Sequence, residues 1–70
     1  MKIKVNGLTK KLAPTRETPT LDVVISQLRY QPQLIVVEFN GIILEPSKWS
    51  NQEVKDGDSL EIVTIVGGGS

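Results

Sequence analysis

The chain has 70 residues, no cysteine, no histidine, and eight lysine plus arginine against eight aspartate plus glutamate. That length holds one small domain, whose thin core must offset roughly 1.5 kcal/mol of ordering cost per residue through close packing. The composition excludes a disulfide framework, offers no thiol or imidazole for a metal, and lacks both the usual general base and the usual strong nucleophile of an enzyme.

The balanced, dispersed charge lacks the basic excess that displaces counterions from nucleic acid. No apolar stretch approaches the ~20 residues that span a bilayer, and nothing at the N-terminus reads as a signal peptide. The expected location is therefore cytoplasmic, with no metal, cofactor, nucleic-acid or membrane partner.

Met1-Lys2-Ile3-Lys4-Val5 alternates apolar and charged residues, the period of a half-buried strand. Asn6-Gly7 is a strong hairpin signal, because both residues tolerate positive φ. Leu8 to Leu12 returns as a more polar strand, so residues 1–12 read as a β-hairpin. Lys10-Lys11 reads as a solvated strand end rather than a phosphate site.

Ala13 to Pro19 carries two prolines and no apolar period, and reads as a loop. Thr18 or Thr20 caps the helix that follows. Thr18 would place Pro19 at the first helical position, whereas Thr20 would accept the N–H of Val23. Leu21, Val24, Ile25 and Leu28 then fall on one helical face; Val23 departs from that stripe. Pro32 stops the helix near Tyr30-Gln31.

Leu34 to Phe39 is apolar and β-branched, which predicts a central strand covered on much of both faces. Asn40-Gly41 is a second hairpin signal, Ile42-Ile43-Leu44 the return strand, and Pro46 its end. Lys48-Trp49 falls in a short turn or helical connection, with Trp49 plugging one end of the core rather than stacking on a ligand. Asp56 and Asp58 flank Gly57 in a tight turn, not a catalytic pair. Ser59 to Val66 is the last strand, with Leu60 and Ile62 on one face and Glu61, Val63 and Ile65 on the other.

Hairpin, helix, hairpin, short connection and strand give an α+β chain with one helix packed on a mixed sheet. One helix covers one sheet face. Placed parallel to the first strand, the last strand takes the middle and buries Leu60 and Ile62. This is the β-grasp, or ubiquitin-like, fold, expected over residues 1–65. On the open face Val63 and Ile65 lie beside Val36, an apolar patch suited to a protein partner.

Val66-Gly67-Gly68-Gly69-Ser70 follows the last strand directly and is expected to be a flexible tail. Its three glycines lack Cβ atoms, which suits such a tail to a narrow channel, reaching about 13 Å over Val66 to Gly69 at ~3.3 Å per residue. The same composition also suits a plain linker.

Three stretches carry a resemblance: Asn40-Gly41-Ile42-Ile43-Leu44-Glu45-Pro46-Ser47-Lys48-Trp49, Val54 to Ile62 with its Asp56-Gly57-Asp58 turn, and Val66-Gly67-Gly68-Gly69. In that order and spacing the chain resembles the ThiS family of sulfur carriers in thiamine biosynthesis, over essentially its whole length. The resemblance implies a carrier that is not itself an enzyme. Gly69 would be adenylated by a ThiF-like enzyme with ATP and converted to a thiocarboxylate, with Val66, Gly67 and Gly68 as the threaded tail. Sulfur would come from a cysteine desulfurase-type donor and pass to thiazole synthase.

The turn and tail also resemble the small subunit of molybdopterin synthase, although that family usually has a longer chain and a proline before its tail. A ubiquitin-like modifier and a plain interaction module are further readings. Ser70 departs from a terminal glycine. It is either removed by a hydrolase, extraneous to the native chain, or tolerated. Until it is gone, no thiocarboxylate is expected on Gly69.

Overall fold

The computed structural model describes residues 1–13 and 18–65. Strands β1 (Lys2–Val5), β2 (Leu8–Lys11), β3 (Ile35–Phe39), β4 (Ile42–Leu44) and β5 (Ser59–Thr64) form one five-stranded sheet in the order β2-β1-β5-β3-β4. Helix α1 (Leu21–Gln27) packs on it, and short 3-10 segments span Pro32–Leu34 and Pro46–Asn51. The two hairpins are antiparallel, and β5 runs parallel to β1 and antiparallel to β3. This is the β-grasp fold that the order of elements predicts.

Both hairpins turn on two residues, between the register pairs Val5 and Leu8 and Phe39 and Ile42. The turns need positive φ at both central positions. Asn6 and Gly7 adopt 52° and 83°, and Asn40 and Gly41 adopt 49° and 89°.

Alternation sets the core. Ile3 and Val5 of β1, Ile35 and Val37 of β3, and Leu60 and Ile62 of β5 point inward and are buried. Leu21, Val24 and Ile25 of α1 meet them, with Leu28 partly buried at the helix end and Val23 exposed. Trp49, 1 % exposed, closes the core from the Pro46–Asn51 segment, which packs against α1. Its indole Nε1 donates to the Leu44 carbonyl at 2.9 Å.

The structure corrects three local expectations. First, the cover expected over much of both faces of β3 is complete on one face only. Ile35 and Val37 are buried, whereas Val36 and Glu38, which alternate with them, are half-buried, because the single helix lies on the other side. Leu34 belongs to the preceding 3-10 segment rather than to the strand.

Second, Thr20 is the N-cap, yet its side chain makes no capping bond to the backbone. The Thr20 hydroxyl donates to the Asp22 carboxylate instead. The first helical N–H is satisfied from elsewhere: the Leu21 N–H donates to the Gln52 carbonyl at 2.7 Å, and the Val54 N–H, donating to the Pro19 carbonyl at 2.9 Å, ties the same segment alongside. An adjoining chain segment thus takes the role that a capping side chain normally fills.

Third, α1 ends before Pro32 can stop it. Arg29 adopts φ 66°, its N–H donates to Ser26 O at 3.0 Å, and the Tyr30 N–H donates to Ile25 O at 3.2 Å. This pair of bonds is a Schellman motif, whose left-handed position glycine normally fills. Arginine pays a steric cost there, so Arg29→Gly should stabilise the fold by about 1 kcal/mol. The expected readout is a melting point about 5 °C higher by circular dichroism. An unchanged or lower value would show that the Arg29 side chain contributes more than its backbone strain costs.

Candidate functional site: the open sheet face and the end of the central strand

β5 is the central strand, and its far end leads to the tail. Beyond Leu60, which pairs with Val5, no further residue of β1 pairs with β5. Asn6 supplies what β1 no longer does. Its Nδ2 donates to the Ile62 carbonyl at 3.1 Å, and its Oδ1 accepts the Ile62 N–H at 2.7 Å. On the other side β3 holds β5 as far as the Ile35–Thr64 pair. One step on, the Ile65 N–H donates to the Leu34 carbonyl at 2.6 Å. The outgoing chain is therefore held by hydrogen bonds up to Ile65.

The start of β5 is tied equally closely. The Asn40 Oδ1 accepts the Ser59 N–H at 2.9 Å, and the Asn40 Nδ2 donates to Asp58 at 3.2 Å. The two turn carboxylates take backbone donors: Asp58 accepts the Lys55 N–H at 2.7 Å and Asp56 the Lys2 N–H at 2.6 Å. Asp56 and Asp58 thus fasten the turn to β1 and to the second hairpin, in keeping with a turn rather than a catalytic pair. Among the described residues no group of three His, Cys, Asp or Glu side chains is arranged to hold a metal. No helix among them is long and apolar enough to cross a membrane.

The predicted patch residues come together on the open face. Val36 and Val63 are register partners on β3 and β5. Val63 is 59 % exposed and Ile65 49 % exposed. Leu34, bonded to Ile65, is 42 % exposed and extends the apolar surface at the root of the tail. Ile43, 64 % exposed, stands across from Glu38 on the edge strand. Neither Leu34 nor Ile43 is among the residues expected from sequence. The two-residue Asn40-Gly41 loop is the signal for Ile43, since it fixes the pairing of β3 with β4. Val66, Gly67, Gly68 and Gly69, expected as the threaded tail and the site of modification, lie outside the described residues.

A β-grasp body whose central strand runs out toward a glycine-rich end has the architecture of the ubiquitin-like carriers. The model of the ThiS family matches residues 3–69, a span that includes all three tail glycines. The chain is 32 % identical to the thiamine biosynthesis protein ThiS of Geobacter metallireducens, whose crystal structure superposes with a TM-score of 0.82 over 97 % of this chain and 99 % of that one. It is 33 % identical to a thiazole synthase of Paramagnetospirillum magneticum over its full 70 residues, which span only 21 % of that longer protein. It is also 34 % identical over 55 residues to a protein named ycf40 of Trieres chinensis, covering 79 % of this chain and 75 % of that one. The chain belongs to the ThiS family, and its place there supports a sulfur-carrier role.

Proposed function

We propose that this chain carries sulfur for the thiazole moiety of thiamine on its own C-terminal carboxylate. The observation that carries the reading is the family match through the tail glycines, joined to a strand held in register up to Ile65.

The chemistry follows from the carboxylate. As an anion it is a poor electrophile, so a ThiF-like enzyme attaches it to the α-phosphorus of ATP and releases pyrophosphate. The Gly69 acyl adenylate then has AMP as its leaving group. A persulfide formed by a cysteine desulfurase-type donor attacks the acyl carbon, AMP departs, and a thiol cleaves the resulting acyl disulfide to leave the thiocarboxylate. That group is nucleophilic and passes its sulfur to thiazole synthase. The thiazole synthase that contains a stretch similar to this whole chain supports such an enzyme as recipient. The carrier is a substrate in every step, consistent with a chain that has neither cysteine nor histidine.

Body and tail divide the work. The open face with Val36, Val63 and Ile65 docks on the partner, and Val66, Gly67 and Gly68 thread the channel to present Gly69. Serine at position 70 would bring a Cβ and a hydroxyl into a passage suited to glycine.

The purified chain is tested with the adenylating enzyme, ATP and a sulfur source, and read by intact mass. The 70-residue chain should keep its mass. The chain ending at Gly69 should gain sulfur for oxygen. A gain on the 70-residue chain refutes the requirement for serine removal, whereas no gain on the chain ending at Gly69 refutes the carrier reading.

A further inference from the structure

The open face is divided along β5. Lys2 and Lys4 of β1, with Lys11 of β2 paired to Lys2, lie toward the start of β5, since Lys4 pairs with Ser59. Val36, Val63 and Ile65 lie at the end that leads to the tail. Between these two regions Glu38 and Glu61 are direct register partners on adjacent central strands. Both point to the open face, because their neighbours Val37, Leu60 and Ile62 are buried.

Like charges placed directly opposite on a sheet are destabilising. Solubility alone would be served as well by carboxylates set apart. Glu38 has no cation beside it in the register: its cross-strand neighbours are Glu61 and Ile43, and its same-face neighbour within β3 is Val36. Lys4 stands one step diagonally from Glu61, at the level of Ser59. The pair borders the apolar patch on the side away from the tail.

We infer that the adenylating enzyme that receives this face presents an apolar surface edged by an arginine or lysine, which seats between the Glu38 and Glu61 carboxylates. The inference rests on the carrier reading for the existence of that partner. Side chains directly opposite on neighbouring strands have Cβ atoms about 4.5–5.5 Å apart, close enough for one guanidinium to bond both carboxylates through its planar fork. The lysines at the other end of the face repel a basic edge placed there, so the division of charge also fixes the docking direction. The free carrier thus tolerates a repulsion that docking relieves.

The test uses the full chain and the adenylating enzyme, with affinity measured by calorimetry at low and high salt and melting followed separately. Glu38→Gln should raise the melting point by a few degrees, because it removes a like-charge contact, yet weaken binding about tenfold through loss of a charged hydrogen bond. In E38Q/E61Q the remaining binding should depend less on salt than in the wild type. A merely structural role would move stability and binding in the same direction. If the wild type binds and E38Q/E61Q matches it in affinity and salt dependence, the inference is overturned and the carrier reading stands. If neither the 70-residue chain nor the chain ending at Gly69 binds at all, both fall.

Discussion

Trp49→Ala should leave the chain largely unfolded at room temperature. A domain of this size has a total stability on the order of 5 kcal/mol. Trp49 is one of the largest fully buried side chains and closes the core against α1. Truncating a buried tryptophan to alanine costs about 3–5 kcal/mol through lost transfer free energy and the cavity left behind. The Leu44 carbonyl also loses the indole donor, which adds about 1 kcal/mol. Urea titration followed by far-ultraviolet circular dichroism checks this. The variant should show little or no folded baseline, whereas a midpoint within about 1 M of the wild type would mean that the core does not depend on the indole. Trp49→Phe separates the two contributions, since it keeps an aromatic ring and removes only the donor and part of the volume.

Asn6→Ala should cost about 3 kcal/mol. The substitution has two independent penalties. Alanine at φ 52° meets the left-handed region without the local hydrogen bonding that lets asparagine occupy it, at about 1 kcal/mol. Both backbone groups of Ile62 also lose their partner, at about 1 kcal/mol each. Asn6→Gly removes the side chain and keeps the backbone freedom, so it should lie about 1 kcal/mol above Asn6→Ala. Equal stability for the two variants would contradict the division. Hydrogen exchange adds a local readout: the Ile62 amide should lose protection in both variants beyond the general loss. The functional consequence lies at the end of β5, where Asn6 is the only link found from the β1 side beyond Leu60 among the described residues.

Much of the body was legible because its signals are local. Each Asn-Gly pair needs only its own backbone preference to make a two-residue turn. The stripe of Leu21, Val24, Ile25 and Leu28 needs only the helical period, and the alternation of Leu60, Glu61, Ile62 and Val63 assigns the faces of β5. Those patterns also placed Val36, Val63 and Ile65 on the open side.

What was not legible depends on distant partners. In the sequence Asn6 reads only as a turn residue, and nothing near it announces its bonds to Ile62. The helix start is completed by the backbone of Gln52, so the choice between Thr18 and Thr20 could not be made from their side chains. In the sequence Pro32 marks the helix end, because arginine at a left-handed position sends no signal. Leu34 to Phe39 reads as covered on much of both faces because an apolar run resembles a doubly covered strand whether or not a second layer exists. The opposition of Glu38 and Glu61 follows only once the pairing of β3 with β5 is known.

The most direct measurement is the intact mass of the endogenous protein isolated from its host. A chain that ends at residue 69 and carries sulfur in place of one carboxylate oxygen is the predicted result. A population that retains all 70 residues with an ordinary carboxylate, in cells actively making thiamine, would contradict the proposal that this end of the chain is where sulfur travels.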